Sequence, residues 1–132
     1  METRARLNAV FPIGDTDPQN LPVPDVGQAI PFYTDRLGFT LQPSEDDPAT
    51  AAVLVRDSVR LRLARSDADP EQASCYIDVT DLDALHREYL AQGVNVSEHI
   101  TAMDYDAKQY RVFWAKDEDG ICYCLGTPLP AA

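Results

Sequence analysis

The sequence predicts an α+β fold in which two βαβββ units build a curved mixed sheet around a concave cleft. Three observations predict it. The first is an internal echo: Val23-Pro-Asp25-Val-Gly-Gln-Ala-Ile-Pro-Phe-Tyr33-Thr-Asp-Arg-Leu-Gly38 is answered by Val79-Thr-Asp81-Leu-Asp-Ala-Leu-His-Arg-Glu-Tyr89-Leu-Ala-Gln-Gly93. The second is that each copy is followed by three strand-like runs. The third is size: 132 residues, 45% of them hydrophobic, suffice for a single core.

Each element has a local cause. In both copies a Val closes an apolar strand and an Asp two residues later, Asp25 or Asp81, is placed to accept from the free amides of a first helical turn. Gly38 and Gly93 can take the left-handed conformation that ends a helix. Leu82, Leu85, His86, Tyr89 and Leu90 form one apolar stripe on the second helix. The first helix contains Gly27 and Pro31; an interior proline costs about 3 kcal/mol, so a distorted first turn or a late start is expected there.

Strands are expected over 39–42, 50–55 and 59–64 in the first copy, and over 94–99, 110–115 and 121–125 in the second. Arg56-Asp-Ser58 and Asp117-Glu-Asp-Gly120 supply the closing hairpin turns. Residues 66–73, SDADPEQA, form an acidic linker. The expected organisation is one domain over 1–132, with units at 18–65 and 74–126 and an N-terminal arm at 1–17. Residues 101–108 are polar and read as a loop over the cleft mouth.

Composition narrows the function. Lys plus Arg is 11 against 22 for Asp plus Glu, a net charge of −11, which argues against nucleic acid or an anionic membrane as partner and favours cations. No run approaches the roughly 20 apolar residues of a membrane span. Cys75, Cys122 and Cys124 are odd in number and do not resemble a disulfide framework. The expectation is a cytoplasmic protein.

The motifs V-P-D-V-x-x-A-I-x-F-Y-x-D-x-L-G-F, V-T-D-L-D-A-L and D-E-D-G-I resemble the vicinal oxygen chelate superfamily, also called the glyoxalase/bleomycin resistance/dioxygenase superfamily, across about residues 18–126. The stretch CYIDVTDLDALHREY is most similar to its bleomycin resistance branch. The resemblance implies the glyoxalase/bleomycin resistance fold, a homodimer with clefts between its subunits, and a bleomycin-type glycopeptide held without turnover, with the arm a candidate for exchange between chains. Metal-dependent members place His or Glu at one inward position on the first and last strands of each unit. The corresponding residues here are Pro18, Arg62, Ser74 and Cys124, so neither a metal nor another cofactor is expected.

Strand alternation sets the candidate site. Tyr110, Val112 and Trp114 face inward opposite Phe113 and Ala115; Tyr76, Asp78 and Thr80 face inward opposite Ile77 and Val79; Cys75 faces the helix. Trp114, Tyr110 and Tyr76 offer flat surfaces for a planar cation, Asp78 a carboxylate beside them, and Asp104 and Asp106 two acids in the covering loop. Arg62 and Cys124 complete the set as former ligand positions. Trp114 has a plainer reading as sheet or dimer filling, Cys122 and Cys124 as small buried hydrophobes, and His86 as a satisfied histidine at the core edge. A protein of this fold binding another small molecule, or a metal-dependent lyase, isomerase or dioxygenase, are the alternatives.

Overall fold

The computed structural model describes residues 5–43, 47, 50–105 and 107–129. Its strands, in chain order, are β1 (Arg6–Pro12), β2 (Leu21–Val23), β3 (Thr40–Gln42), β4 (Ala51–Arg56), β5 (Val59–Arg65), β6 (Ser74–Thr80), β7 (Asn95–Val96), β8 (Thr101–Tyr105), β9 (Lys108–Lys116) and β10 (Cys122–Pro128). Helices α1 (Val26–Asp35) and α2 (Leu82–Ala91) follow β2 and β6.

The two repeats share one topology. In the first, β2 pairs parallel with β5, and the sheet runs β2-β5-β4-β3. In the second, β6 pairs parallel with β10, and the sheet runs β6-β10-β9-β7. Both place the first strand beside the last, so both sheets are mixed, open at their edges and curved by strand twist.

The repeats meet in a continuous core. Leu21, Leu54, Leu61 and Leu63 from the first sheet join Ile77, Val79, Phe113 and Leu125 from the second, with Tyr33 and Tyr89 supplied by the helices. Two polar clamps cross between repeats. Tyr33 of α1 donates to Asp117 Oδ2 at 2.6 Å and lies 2.6 Å from the Tyr123 hydroxyl. Asp117 Oδ1 accepts the amides of Asp119, Gly120 and Ile121 at 3.0, 2.8 and 2.8 Å, which shapes the β9–β10 turn. The buried Arg56 side chain donates to Glu88 of α2 at 2.7 and 3.0 Å and to the Leu37 carbonyl at 2.8 Å. That guanidinium passes so close to Gly38 (φ +81°) that a Cβ there would sit 2.7 Å from Arg56 Nη1.

Several expectations change on contact with the structure. Helix α1 starts where Asp25 caps it, with the Asp25 side chain accepting from the Gln28 amide, and runs through Pro31 to Asp35. The proline forfeits only the bond to Gly27, and the Thr34 hydroxyl takes up the Ile30 carbonyl one turn on. The strand expected at 94–99 shortens to β7. The loop expected at 101–108 is instead an antiparallel hairpin: β8 pairs with β9 from Thr101↔Val112 to Tyr105↔Lys108. The arm contains β1, which pairs antiparallel with β6 and whose Leu7 amide donates to Asp57 Oδ2 at 3.0 Å in the β4–β5 turn.

Candidate functional site

Cross-strand register brings four side chains into one row on the open face of the second sheet. Phe11 of β1 lies opposite Tyr76 of β6, Tyr76 beside Cys124 of β10, and Cys124 opposite Trp114 of β9. Strands spaced about 4.8 Å apart make this row roughly 14 Å long, the span of a planar drug-sized group. Tyr110 stands two residues from Val112 on the same face and opposite Met103 of β8. Pro12, Ile13 and Gly14 close one end, enclosing a groove of about 470 Å³.

The floor is built by close packing. The Tyr76 ring lies against Gly126, where an added Cβ would come 3.0 Å from Tyr76 Cε2, 2.9 Å from the Arg111 carbonyl oxygen and 2.8 Å from Val112 Cγ1. Only glycine lets the tyrosine settle this low. Tyr76 then meets Tyr110 edge-on at 5.9 Å and Phe11 at 6.2 Å. Trp114 is held through its backbone at the break between β7 and β8. Its amide donates to Ser97 Oγ at 2.9 Å, its carbonyl accepts the Ser97 amide at 2.8 Å, and the Ser97 carbonyl in turn lies 2.9 Å from His86 Nε2. Trp114 is 37% exposed and lines the groove.

The ionisable groups of the floor stay protonated near neutrality. Burial pushes the Cys124 thiol up to about 12, with the neighbouring Cys122 adding to the shift. Burial likewise raises Tyr76, reinforced by Asp78, Cys124 and Tyr110. A protonated thiol is a poor nucleophile, so the groove offers neutral aromatic surface and hydroxyl donors, suited to holding a flat molecule.

Of the residues singled out by sequence, the groove brings together Tyr76, Tyr110, Trp114 and Cys124. Asp78 stands on the same face of β6 as Tyr76, one row away, where its Oδ2 accepts from Asn8 Nδ2 at 3.1 Å. Arg62 belongs to β5 in the other sheet and reaches the Gln19 carbonyl and Asn20 Oδ1 at 3.3 and 3.4 Å. Asp104 follows Met103 on β8, so alternation turns it away from the groove. Asp106 lies outside the described residues. The segment from Phe11 to Gly14 and Met103 were missed; the alternation F-P-I and the lone Met within T-A-M-D-Y were the available signals.

The four positions that the resemblance pairs with metal ligands, Pro18, Arg62, Ser74 and Cys124, do not make a set for a divalent ion. Pro18 contributes only a carbonyl, which accepts the Arg62 amide at 3.0 Å, Arg62 is cationic, Ser74 offers only a neutral hydroxyl, and Cys124 is left as a single soft ligand. Among the described residues no three His, Cys, Asp or Glu side chains converge as a metal site. No helix among them is long and apolar enough to cross a membrane.

The sequence pattern of the Glyoxalase/Bleomycin resistance protein/Dioxygenase superfamily matches residues 15–125. The chain belongs to this superfamily. Bleomycin resistance proteins of Geobacillus stearothermophilus and Staphylococcus aureus are 34% identical to it, over 56% of this chain and 68% of theirs. Among solved structures, the bleomycin-binding protein of Streptomyces verticillus, complexed with copper(II)-bleomycin, shares the fold with a TM-score of 0.64 and 23% identity, covering 90% of this chain and 98% of that one. The bleomycin resistance determinant of transposon Tn5 does so with a TM-score of 0.65 and 22% identity, covering 86% and 98%.

Proposed function

We propose that this superfamily member sequesters a cationic, partly aromatic antibiotic of the bleomycin family in the Trp114 groove, without metal and without chemical turnover. The observation that carries this reading is the row Phe11, Tyr76, Cys124 and Trp114, an aromatic platform with protonated side chains along its floor. The net charge of −11 draws a cation toward the protein, and Asp78 supplies a carboxylate at the edge of the platform. The bleomycin resistance and bleomycin-binding relatives point the same way. The apolar rim, with Phe11 51%, Ile13 37% and Trp114 37% exposed, suits closure by a second copy, giving a homodimer with clefts between its subunits. Because Asp78 already accepts from Asn8, a neutral aromatic ligand of another class is the second reading.

The test is a titration of metal-free bleomycin into chelator-treated protein, read by calorimetry and by fluorescence of the single tryptophan at two salt concentrations. Expected is saturable binding that weakens with salt, falls at least about tenfold in Trp114→Ala, and loses part of its salt dependence in Asp78→Asn. Absence of binding overturns the bleomycin assignment. Binding indifferent to Trp114→Ala overturns the assignment of the groove.

A further inference from the structure

Groove residue Tyr76 carries a hydroxyl that is buried yet has no hydrogen-bond partner among the described residues. This is an expensive arrangement, because a buried hydroxyl loses its water and gains nothing in return. Tyr33, also buried, shows the ordinary solution: its hydroxyl bonds both Asp117 and Tyr123. Phenylalanine would supply the same ring to the groove floor, the same fit over Gly126 and the same edge contacts to Phe11 and Tyr110. The fold therefore gains nothing from the oxygen atom, and an unpaired polar group retained at the bottom of a cavity points to a partner that arrives with the ligand.

Resting on the groove as the binding site, we infer that Tyr76 is its specificity-determining donor and selects planar ligands carrying a hydrogen-bond acceptor, a ring nitrogen or carbonyl oxygen, over isosteric hydrocarbons. The walls dictate planarity: Trp114 offers a partly exposed indole face and Tyr76 lies low against Gly126. The acceptor follows from the donor, since the phenol stays protonated across the physiological range. Phe11 and Tyr110, the two rings against Tyr76, are both partly exposed, so the hydroxyl is reached by rotating a side chain and the ladder stays intact. A site that hydrogen-bonds its ligand rejects the analogue lacking that group more strongly than an apolar pocket rejects an extra methylene, because the orphan stays orphaned.

Two neutral probes of equal shape test the inference without relying on bleomycin: quinoxaline, with two ring-nitrogen acceptors, and naphthalene, with none. Binding of each to wild type and Tyr76→Phe is followed by the indole N–H resonance of the single tryptophan. Wild type should prefer quinoxaline by about tenfold, and Tyr76→Phe should remove the preference while leaving naphthalene affinity unchanged or improved. The ligand-free variant should melt at the same temperature as wild type or higher, since no bond is lost. Failure of wild type to discriminate or to bind either probe, a preference surviving in Tyr76→Phe, or a lowered melting temperature each overturns the inference. If bleomycin fails to bind while the quinoxaline preference holds, the bleomycin assignment falls and the donor role of Tyr76 stands.

Discussion

Asp117→Ala should be among the most damaging single substitutions in the chain, although Asp117 touches no groove residue. Its Oδ1 holds three amides and its Oδ2 the Tyr33 hydroxyl. After truncation the partly exposed amides of Asp119 and Gly120 turn to water, whereas Ile121 is fully buried and its amide is stranded. Tyr33 keeps only Tyr123. A stranded buried donor costs about 1–3 kcal/mol and a lost bond to a carboxylate about 1.5–3 kcal/mol. Burial raises the Asp117 carboxyl's pKa against the pull of its donors, so deleting the charge returns part of this. The net expectation is about 3 kcal/mol, or roughly 10 °C in Tm for a domain of this size. Asp117→Asn keeps Oδ1 for the amides and can donate from Nδ2 to the Tyr33 oxygen, so it should cost about 1 kcal/mol. Urea unfolding followed by far-UV circular dichroism measures both. In a cycle with Tyr33→Phe, the double variant should lose about 1–2 kcal/mol less than the sum of the singles, since both remove one bond. An Asp117→Ala protein within 1 kcal/mol of wild type, or an Asn variant as unstable as Ala, would refute the clamp.

Two further predictions concern the buried thiols and the groove floor. Burial pushes Cys75 and Cys124 up to about 12 in the folded state, above the ordinary thiol value near 8.5, so their contribution is fully present below that value and is lost as pH rises through the folded pKa. Stability should fall from about pH 9 by roughly 1.4 kcal/mol per pH unit for each thiol, more steeply above pH 10 as unfolded tyrosines ionise while buried Tyr33, Tyr89 and Tyr123 resist. Because burial also raises Cys122, Cys75→Ala should flatten the first part of that slope by about a third to a half, measured by urea unfolding at pH 8, 9 and 10; an unchanged slope contradicts the thiol's part. Gly126→Ala forces a methyl against Val112, the Arg111 carbonyl and Tyr76, and should cost about 1–3 kcal/mol while lifting the Tyr76 ring and weakening bleomycin binding. Unchanged melting and affinity would show that β9 yields without strain.

How much of this was legible depended on the range of the interactions. The caps at Asp25 and Asp81, the glycine stops and the alternation that aims Tyr76 and Trp114 to one face are written within a few residues, and the structure agrees. His86 against Phe113 and the Ser97 carbonyl is likewise the core-edge histidine its helical stripe implied. β8 was missed because an edge strand with Thr101, Ala102 and Asp104 exposed has little apolar periodicity to read. The part played by Phe11 and Ile13 was missed for a different reason. Their strand pairs with residues far along the chain, Phe11 with Tyr76, and no local pattern in the arm says which strand it will meet. Arg62 and Cys124 share a position by analogy between repeats, but each repeat builds its own sheet, and the analogy carries no information about which sheet closes the groove.

The repeat topology also bears on where this chain can be cut. Among the described residues every strand pairing except β1–β6 lies within one repeat, and the stretch between Ser66 and Pro70 belongs to no ladder. A nick between Asp67 and Ala68 would leave two fragments that each retain every ladder but the one between β1 and β6. β1, the Tyr33–Asp117 clamp and the Arg56–Glu88 pair would then be the means by which one fragment captures the other. Split there, the halves should reassemble through a strand, a carboxylate and a guanidinium, with the groove restored only when the fragment bearing Phe11 meets the fragment bearing Trp114.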